Sequence, residues 1–518
     1  MQPPAPPPDR PTGRLHQRGA ALVTLAGLGM LGLGGALVHG VGTAVADHDP
    51  VGHWNALAVR AGATLERGTS QQRALAMVHL AIHDALNAIR PVYAPYALVR
   101  HAHANASPDA AIATAAHDVL VETVPAQRIA LDAEYADALD DIPDGTPKQE
   151  GIDVGHDAAR TLVALRKDDG AERADIAYIG KPGLGAWEPT PPHHLRALLP
   201  GWASVAPFAL ASAGQFLPPA PPALRSAQYA RDYEEVRRIG ADNSSVRTPE
   251  QGAIAHFWSA NVGETWNDIA RQIVAARAPD GDPRNDLDAW DRARLFALLN
   301  MAMADGFVSG WNAKYHYRFW RPVTAIHRGH LDGNPATVPD ATWSSFLATP
   351  EHPEYPSAHS VLSGAAVGVL ACVLGSDRVP LVVTRGSAGD AMTRRYRGFH
   401  AMAREIAESR VYAGVHFRSA NENGLGEGRQ IGQWVCGGFL PPLARQPAVA
   451  PRRPEAATIG PGGVGQAAAT CASTPRKVRA PQGTVPGNAW AARADGKCNR
   501  EQTADGRAFF GMPWHRQG

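Results

Sequence analysis

Residues 71–90 read QQRALAMVHLAIHDALNAIR, and Leu75, Val78, Ile82 and Leu86 fall on one face at helical spacing. Pro91 ends the run. Period 3.6 dominates outward from there, with helical patterns near 109–122, 126–140, 148–167, 225–240, 249–260, 286–320, 358–374, 390–412 and 417–436. No apolar/polar alternation is long enough to support a sheet. The stretches near 170–224 and 323–356, rich in Pro, His and Gly, read as long connections. The expected fold is all-α: a large helical domain over residues 47–440, built as one bundle or two stacked bundles.

The ends differ from this body. Of 43 prolines in 518 residues, six lie in residues 1–11 and ten in residues 441–518. Arg14 and Arg18 precede an uncharged Leu/Ala/Gly run that closes on Ala44-Val45-Ala46. That order reads as a secretory signal over residues 1–46, with an uncleaved anchor as the rival. An exported chain, periplasmic or extracellular, is expected. Residues 441–518 read as an irregular Pro/Ala/Gly-rich tail. Cys372, Cys436, Cys471 and Cys498 permit three disulfide connectivities, which sequence does not separate.

Charge excludes some partners. Fifty Lys and Arg against 49 Asp and Glu leave a net charge of +1, which argues against nucleic acid. Apart from the leader, no apolar run reaches the roughly 18 residues of a membrane span, so no stable membrane insertion is expected. The two GxGxxG matches, at Gly27, Gly29, Gly32 and at Gly460, Gly462, Gly465, lack a strand before and a helix after, so they carry no dinucleotide site. His79 and His83 have i,i+4 metal spacing, but no Glu stands between them as a base.

Chemistry gathers in three segments. Lys314-Tyr-His-Tyr-Arg-Phe-Trp-Arg321-Pro322 separates two cations by almost two turns, placing Lys314 and Arg321 on one helix face before Pro322 ends the helix. Pro356-Ser357-Ala358-His359-Ser360 leads into the apolar run 361–374, with Ser357 as its N-cap and a first turn of free N–H groups suited to an anion. In Ser409-Arg410-Val-Tyr-Ala-Gly414-Val-His416, Gly414 allows a helix break that brings Arg410 and His416 together. Singly these are a solvated stripe, a cap and a helix histidine. Together they cradle a tetrahedral oxyanion.

KYHYRFWRP, PSAH and SRVYAGVH, in this order, resemble the motifs of the vanadium-dependent haloperoxidases and the related type 2 phosphatidic-acid phosphatases, and the surrounding helices resemble the bacterial haloperoxidase branch. The resemblance implies vanadate or phosphate held by Lys314, Arg321, Ser357, Arg410 and the Ala358 N–H. His416 would ligate vanadium, or attack phosphorus and form a phospho-histidine. His359 would be the acid/base group, and Lys314 would polarise the peroxide. Hydrogen peroxide, a halide and an organic acceptor are the implied partners, with vanadate as cofactor. The oligomeric state is not implied.

Ala358 stands where the family has Gly, which would strain the chain if φ there is positive. His352 occupies a position where His accompanies bromide oxidation, although a surface loop histidine fits the same pattern. Trp311 reads either as part of the halide-side wall or as a core aromatic. The alternatives to a haloperoxidase are a secreted acid phosphatase and a non-catalytic anion-binding surface protein.

Overall fold

A computed structural model describes residues 49–65, 67–180, 183–275, 287–386 and 391–443, all within one compact unit. The leader expected over residues 1–46, most of the tail expected beyond residue 440, both GxGxxG matches, Cys471 and Cys498 lie outside the described residues.

The architecture is helical. In chain order the helices are α1 (Pro50–Gly62), α2 (Gly68–Ile89), α3 (Pro108–Thr123), α4 (Arg128–Asp140), α5 (Thr146–Arg166), α6 (Ala227–Ile239), α7 (Pro249–Phe257), α8 (Val262–Ala275), α9 (Ala289–Tyr317), α10 (Pro322–His327), α11 (Ala358–Val373), α12 (Phe399–Tyr412) and α13 (Arg418–Gly438). The first half packs α1, α2, α3 and α5 together, and the second packs α9, α11, α12 and α13. The long α9 joins them, because it also packs on α2. No helix among the described residues is long and apolar enough to cross a membrane.

Local chemistry sets the ends of α9. Asp288 accepts from the N–H groups of Trp290 and Asp291 in a capping box, and Arg318 stops the helix in the left-handed region at φ 51°. Within α9, Asp305 is fully buried and accepts from three consecutive N–H groups, those of Phe208 (2.6 Å), Ala209 (2.7 Å) and Leu210 (2.9 Å). Asp84 on α2 does the same for Tyr96, Ala97 and Leu98. Irregular chain is thereby pinned to the bundle by satisfied backbone groups.

His79 and His83 have structural surroundings. His79 contacts Asn55 (2.7 Å) and stacks on Phe296, while His83 Nε2 pairs with the Ala94 carbonyl (3.1 Å). Burial lowers their pKa to about 3 and about 4, respectively.

The seam between α11 and α13 is made of glycine. A methyl at Gly368 would meet the Arg429 carbonyl at 2.9 Å, and one at Gly428 would collide with the Val361 carbonyl. Cys372 and Cys436 close this pair with a disulfide.

One expectation is corrected. β1 (Leu381–Arg385) and β2 (Met392–Tyr396) form an antiparallel ladder in which Leu381 faces Tyr396 and Val383 faces Arg394. The alternation is real, with Leu381 and Val383 buried and Val382 and Thr384 exposed, but it spans only five residues. The helix expected over 390–412 therefore begins at Phe399.

Candidate active site

Lys314 lies in the last turn of α9 and is fully buried. The helix stops at Arg318, so Arg321 does not share a helix face with Lys314, contrary to the i,i+7 argument. Arg321 instead occupies the N-cap position of α10, and Pro322 opens that helix rather than ending one. The chain between is extended and anchored: Trp187 N–H donates to the Arg318 carbonyl (2.7 Å), and Trp320 N–H donates to the Gly185 carbonyl (2.9 Å). The reversal brings the two cations to one place by a different route.

Both cations grip the loop before α11. Lys314 Nζ donates to the carbonyls of Pro353 (2.9 Å), Glu354 (3.2 Å) and Pro356. Arg321 donates to the carbonyls of His352 (2.9 Å) and Val415 (2.7 Å) and contacts His352 Nδ1 (3.0 Å) and His416 Nε2 (3.2 Å). Burial, then the neighbouring Arg321 charge, holds Lys314 well below its ordinary value, and burial brings Arg321 down to about 9.

Ser357 sits at the N-cap position of α11, but its side chain makes no capping bond. The residue is fully buried and its Oγ has no partner. Ala358 is the first helical residue, with φ outside the left-handed region, so the methyl brings no backbone strain. His359 follows, half-buried, and its Nε2 also lacks a partner. Burial, then the Arg410 charge, holds its imidazole well below the usual value.

The third segment turns as expected. Gly414 has φ 78°, and a Cβ there would also collide with the Gly240 carbonyl. Arg410, on α12, reaches only the Trp258 carbonyl (3.4 Å), and its Nε is unpartnered. Burial lowers it to about 10. His416 is buried beside Arg321, and its Nδ1 meets Glu354 Oε1 at 3.0 Å. Burial, followed by the Arg321, Lys314 and Arg410 charges, keeps it neutral.

His352 is buried rather than a surface loop histidine, and its ring packs on Trp311 with centroids 5.2 Å apart. Lys314, Arg321, His352 and His416 thus gather at the loop before α11, with Trp311 packed on His352.

Two residues escaped the sequence reading. Glu354 and Glu427 are buried carboxyls beside the cations, each pushed up to about 8 by burial. Glu427 accepts from Ser309 Oγ at 2.7 Å. Glu354 stood inside the motif loop as an acid between prolines, a signal that could have been weighed; Glu427, amid the glycines of α13, offered none.

Unpartnered Ser357 Oγ, Arg410 Nε and His359 Nε2, together with three buried cations, suit a tetrahedral oxyanion of the vanadate or phosphate kind. Among the described residues, no group of three or more His, Cys, Asp or Glu could hold a metal cation.

Residues 294–439, which carry all three motifs, match the VCPO second helical-bundle domain. Over that stretch the chain is similar to the vanadium haloperoxidases. It is 28% identical over 361 residues to the vanadium chloroperoxidase of Curvularia inaequalis, a match covering 57% of this chain and 59% of that protein. The match thus spans about three-fifths of the relative's length. Among solved structures, the fold is shared with the first bacterial vanadium-dependent iodoperoxidase (TM-score 0.66, 24% identity, 77% of this chain and 99% of that one). It is shared too with a holo-type bacterial vanadium-dependent chloroperoxidase (TM-score 0.57, 18% identity, 76% of this chain and 93% of that one).

Proposed function

We propose that this chain is a vanadate-dependent haloperoxidase that uses hydrogen peroxide to oxidise halide, bromide by preference, to a hypohalous acid equivalent. The observation that carries the reading is the set of unpartnered polar atoms on Ser357, His359 and Arg410, together with three buried cations. Such atoms cost stability unless a ligand satisfies them.

Lys314, Arg321, Arg410, Ser357 and the Ala358 N–H would hold the vanadate oxygens, and His416 would hold vanadium through Nε2. Bound vanadate supplies a Lewis acid that activates hydrogen peroxide towards halide attack. The residues supply the rest. Three buried positive charges stabilise negative charge more strongly than they would in water. His359, held neutral, can take a proton at its unpartnered Nε2 and return it. All three Lys314 N–H groups are taken by carbonyls, so a hydrogen bond to the ligand means releasing one of them, and short of that Lys314 acts through its charge. His352 and Trp311 form the halide-side wall, and His352 there favours bromide. The Cys372–Cys436 bond supports an exported protein, since disulfides persist in oxidising compartments. The organic acceptor is a small molecule.

The test is halogenation of a phenol dye by the purified chain with vanadate, hydrogen peroxide and bromide, chloride or iodide. Hydrolysis of p-nitrophenyl phosphate without vanadate is run alongside. Bromination that exceeds chlorination and disappears in His416→Ala is expected. Vanadate-inhibited hydrolysis with no halogenation would sink the reading in favour of a phosphatase.

A further inference from the structure

Glu354 is bound to the site at four points. Its backbone N–H donates to the Phe319 carbonyl at 2.9 Å, and its carbonyl accepts from Lys314 at 3.2 Å. Its Oε1 meets His416 Nδ1 at 3.0 Å and the Phe417 N–H at 2.9 Å. Its Oε2 has no partner, and the residue is wholly buried.

The donors settle which way these bonds run. The Phe417 N–H can only donate, so Oε1 accepts that bond. An Oε1 that carries no proton accepts from the imidazole as well, which places the hydrogen on His416 Nδ1. The far side of the ring agrees independently. Arg321 Nη1 lies 3.2 Å from His416 Nε2, and a guanidinium only donates, so Nε2 must offer its lone pair. Two contacts on opposite sides of the imidazole specify one tautomer.

We propose that Glu354 is a positioning residue: it fixes His416 as the Nδ1–H tautomer and so keeps a lone pair on Nε2, held by Arg321 here, that a bound oxyanion would take over. The role of that lone pair rests on the function proposed above, but the tautomer does not. Carboxylate partners of ligating histidines orient the ring and raise its basicity. Here the same oxygen also holds the backbone of the next residue. Ring and main chain therefore share one anchor, and a shift of either is felt by both.

The test uses the full chain labelled with [15N]histidine, without added oxyanion. Long-range 1H–15N correlations are recorded, and the His416 signals are assigned by their loss in His416→Asn. Wild type is expected to show a protonated Nδ1 and a bare Nε2. Glu354→Gln keeps an acceptor oxygen and retains that pattern. Glu354→Met, similar in length with no acceptor, shows a mixture containing Nε2–H. Calorimetric titration with inorganic phosphate follows the consequence: affinity within about threefold of wild type for Gln, and roughly 10- to 100-fold weaker for Met.

An Nε2–H signal from wild type overturns the proposal even if the Met variant fails to fold. So does an unchanged tautomer in a folded Met variant. A wild-type Nδ1–H signal that is lost in Met, with neither phosphate nor vanadate bound by any form, supports the positioning role and sinks the oxyanion function instead.

Discussion

Lys314 and Arg321 are both completely buried, and among the described residues neither forms a salt bridge with a carboxylate. Lys314 spends its protons on the carbonyls of Pro353, Glu354 and Pro356, and Arg321 spends its own on those of His352 and Val415. Two like charges are thus hydrogen-bonded in a dry place by dipoles, with only the carboxyls of Glu354 and Glu427, themselves shifted towards the neutral form, beside them. Desolvation makes that arrangement costly without a counter-charge, and an oxyanion supplies one.

Replacing Lys314 by Met removes one cation while keeping the stem. A hydrogen bond to a charged group is worth about 1.5–3 kcal/mol. Phosphate and vanadate should therefore bind roughly 10- to 100-fold more weakly to Lys314→Met, as read by calorimetry. Unchanged affinity would remove Lys314 from the binding set.

The cations also set a pH limit. Arg321 falls to about 9 and Arg410 to about 10, so each carries its charge below those values and loses it above. An anion binds the charged forms. Phosphate affinity measured from pH 8 to 11 should hold at first, then fall progressively above about pH 9. An affinity that rises across this range would contradict the assignment of both arginines.

Glu427 affects stability in the opposite sense to a paired carboxylate. Its folded value is raised from 4.5 to about 8, so the buried group prefers its neutral form. Below pH 4.5 it is protonated in both folded and unfolded chains, and the advantage is fully present. As pH rises the unfolded chain ionises first, so stability is lost between about 4.5 and 8. Glu427→Gln stays neutral throughout. Its thermal midpoint, compared with wild type, should improve steadily from pH 5 to pH 8. Parallel curves would show that Glu427 does not titrate in this window.

The glycine seam has no room to give. At Gly428 an added methyl runs into the Val361 carbonyl, which is helix backbone and cannot swing aside as a side chain can. Overpacking typically costs about 1–3 kcal/mol. Gly428→Ala should reach the upper part of that range in denaturant titrations, whereas Gly437→Ala, where nothing lies within 4 Å, should cost little.

Much of this was legible in the sequence, for identifiable reasons. Helices announce themselves by repetition, and α2 repeats Leu75, Val78, Ile82 and Leu86 over several turns. The β1–β2 ladder repeats too briefly to register, at five residues a strand. Ser357, Arg410 and His416 were readable because motif and local geometry agree, with Gly414 supplying the break in the chain. The pairing of Lys314 with Arg321 was read correctly as a result but for the wrong cause. The left-handed turn at Arg318 is imposed by packing, and nothing in the residue itself favours it. Glu427 depends on which α13 residue faces Ser309, which is tertiary information alone.

The contact between α11 and α13 also governs how this site can move. At one end Gly424 lies under the Ser357 carbonyl, and at the other Cys372 is bonded to Cys436. Between them, at Gly364, Gly368, Gly428 and Gly432, helix backbone rests directly on helix backbone. Such a pair cannot slide or roll one partner against the other; it translates as a single beam. The amides that open α11 are therefore carried by 21 residues of α13 as well as by their own helix. A disturbance at the beam's far end, by cutting the sulfur link or wedging the seam, would be felt at Ser357 as a change of aim and not of chemistry.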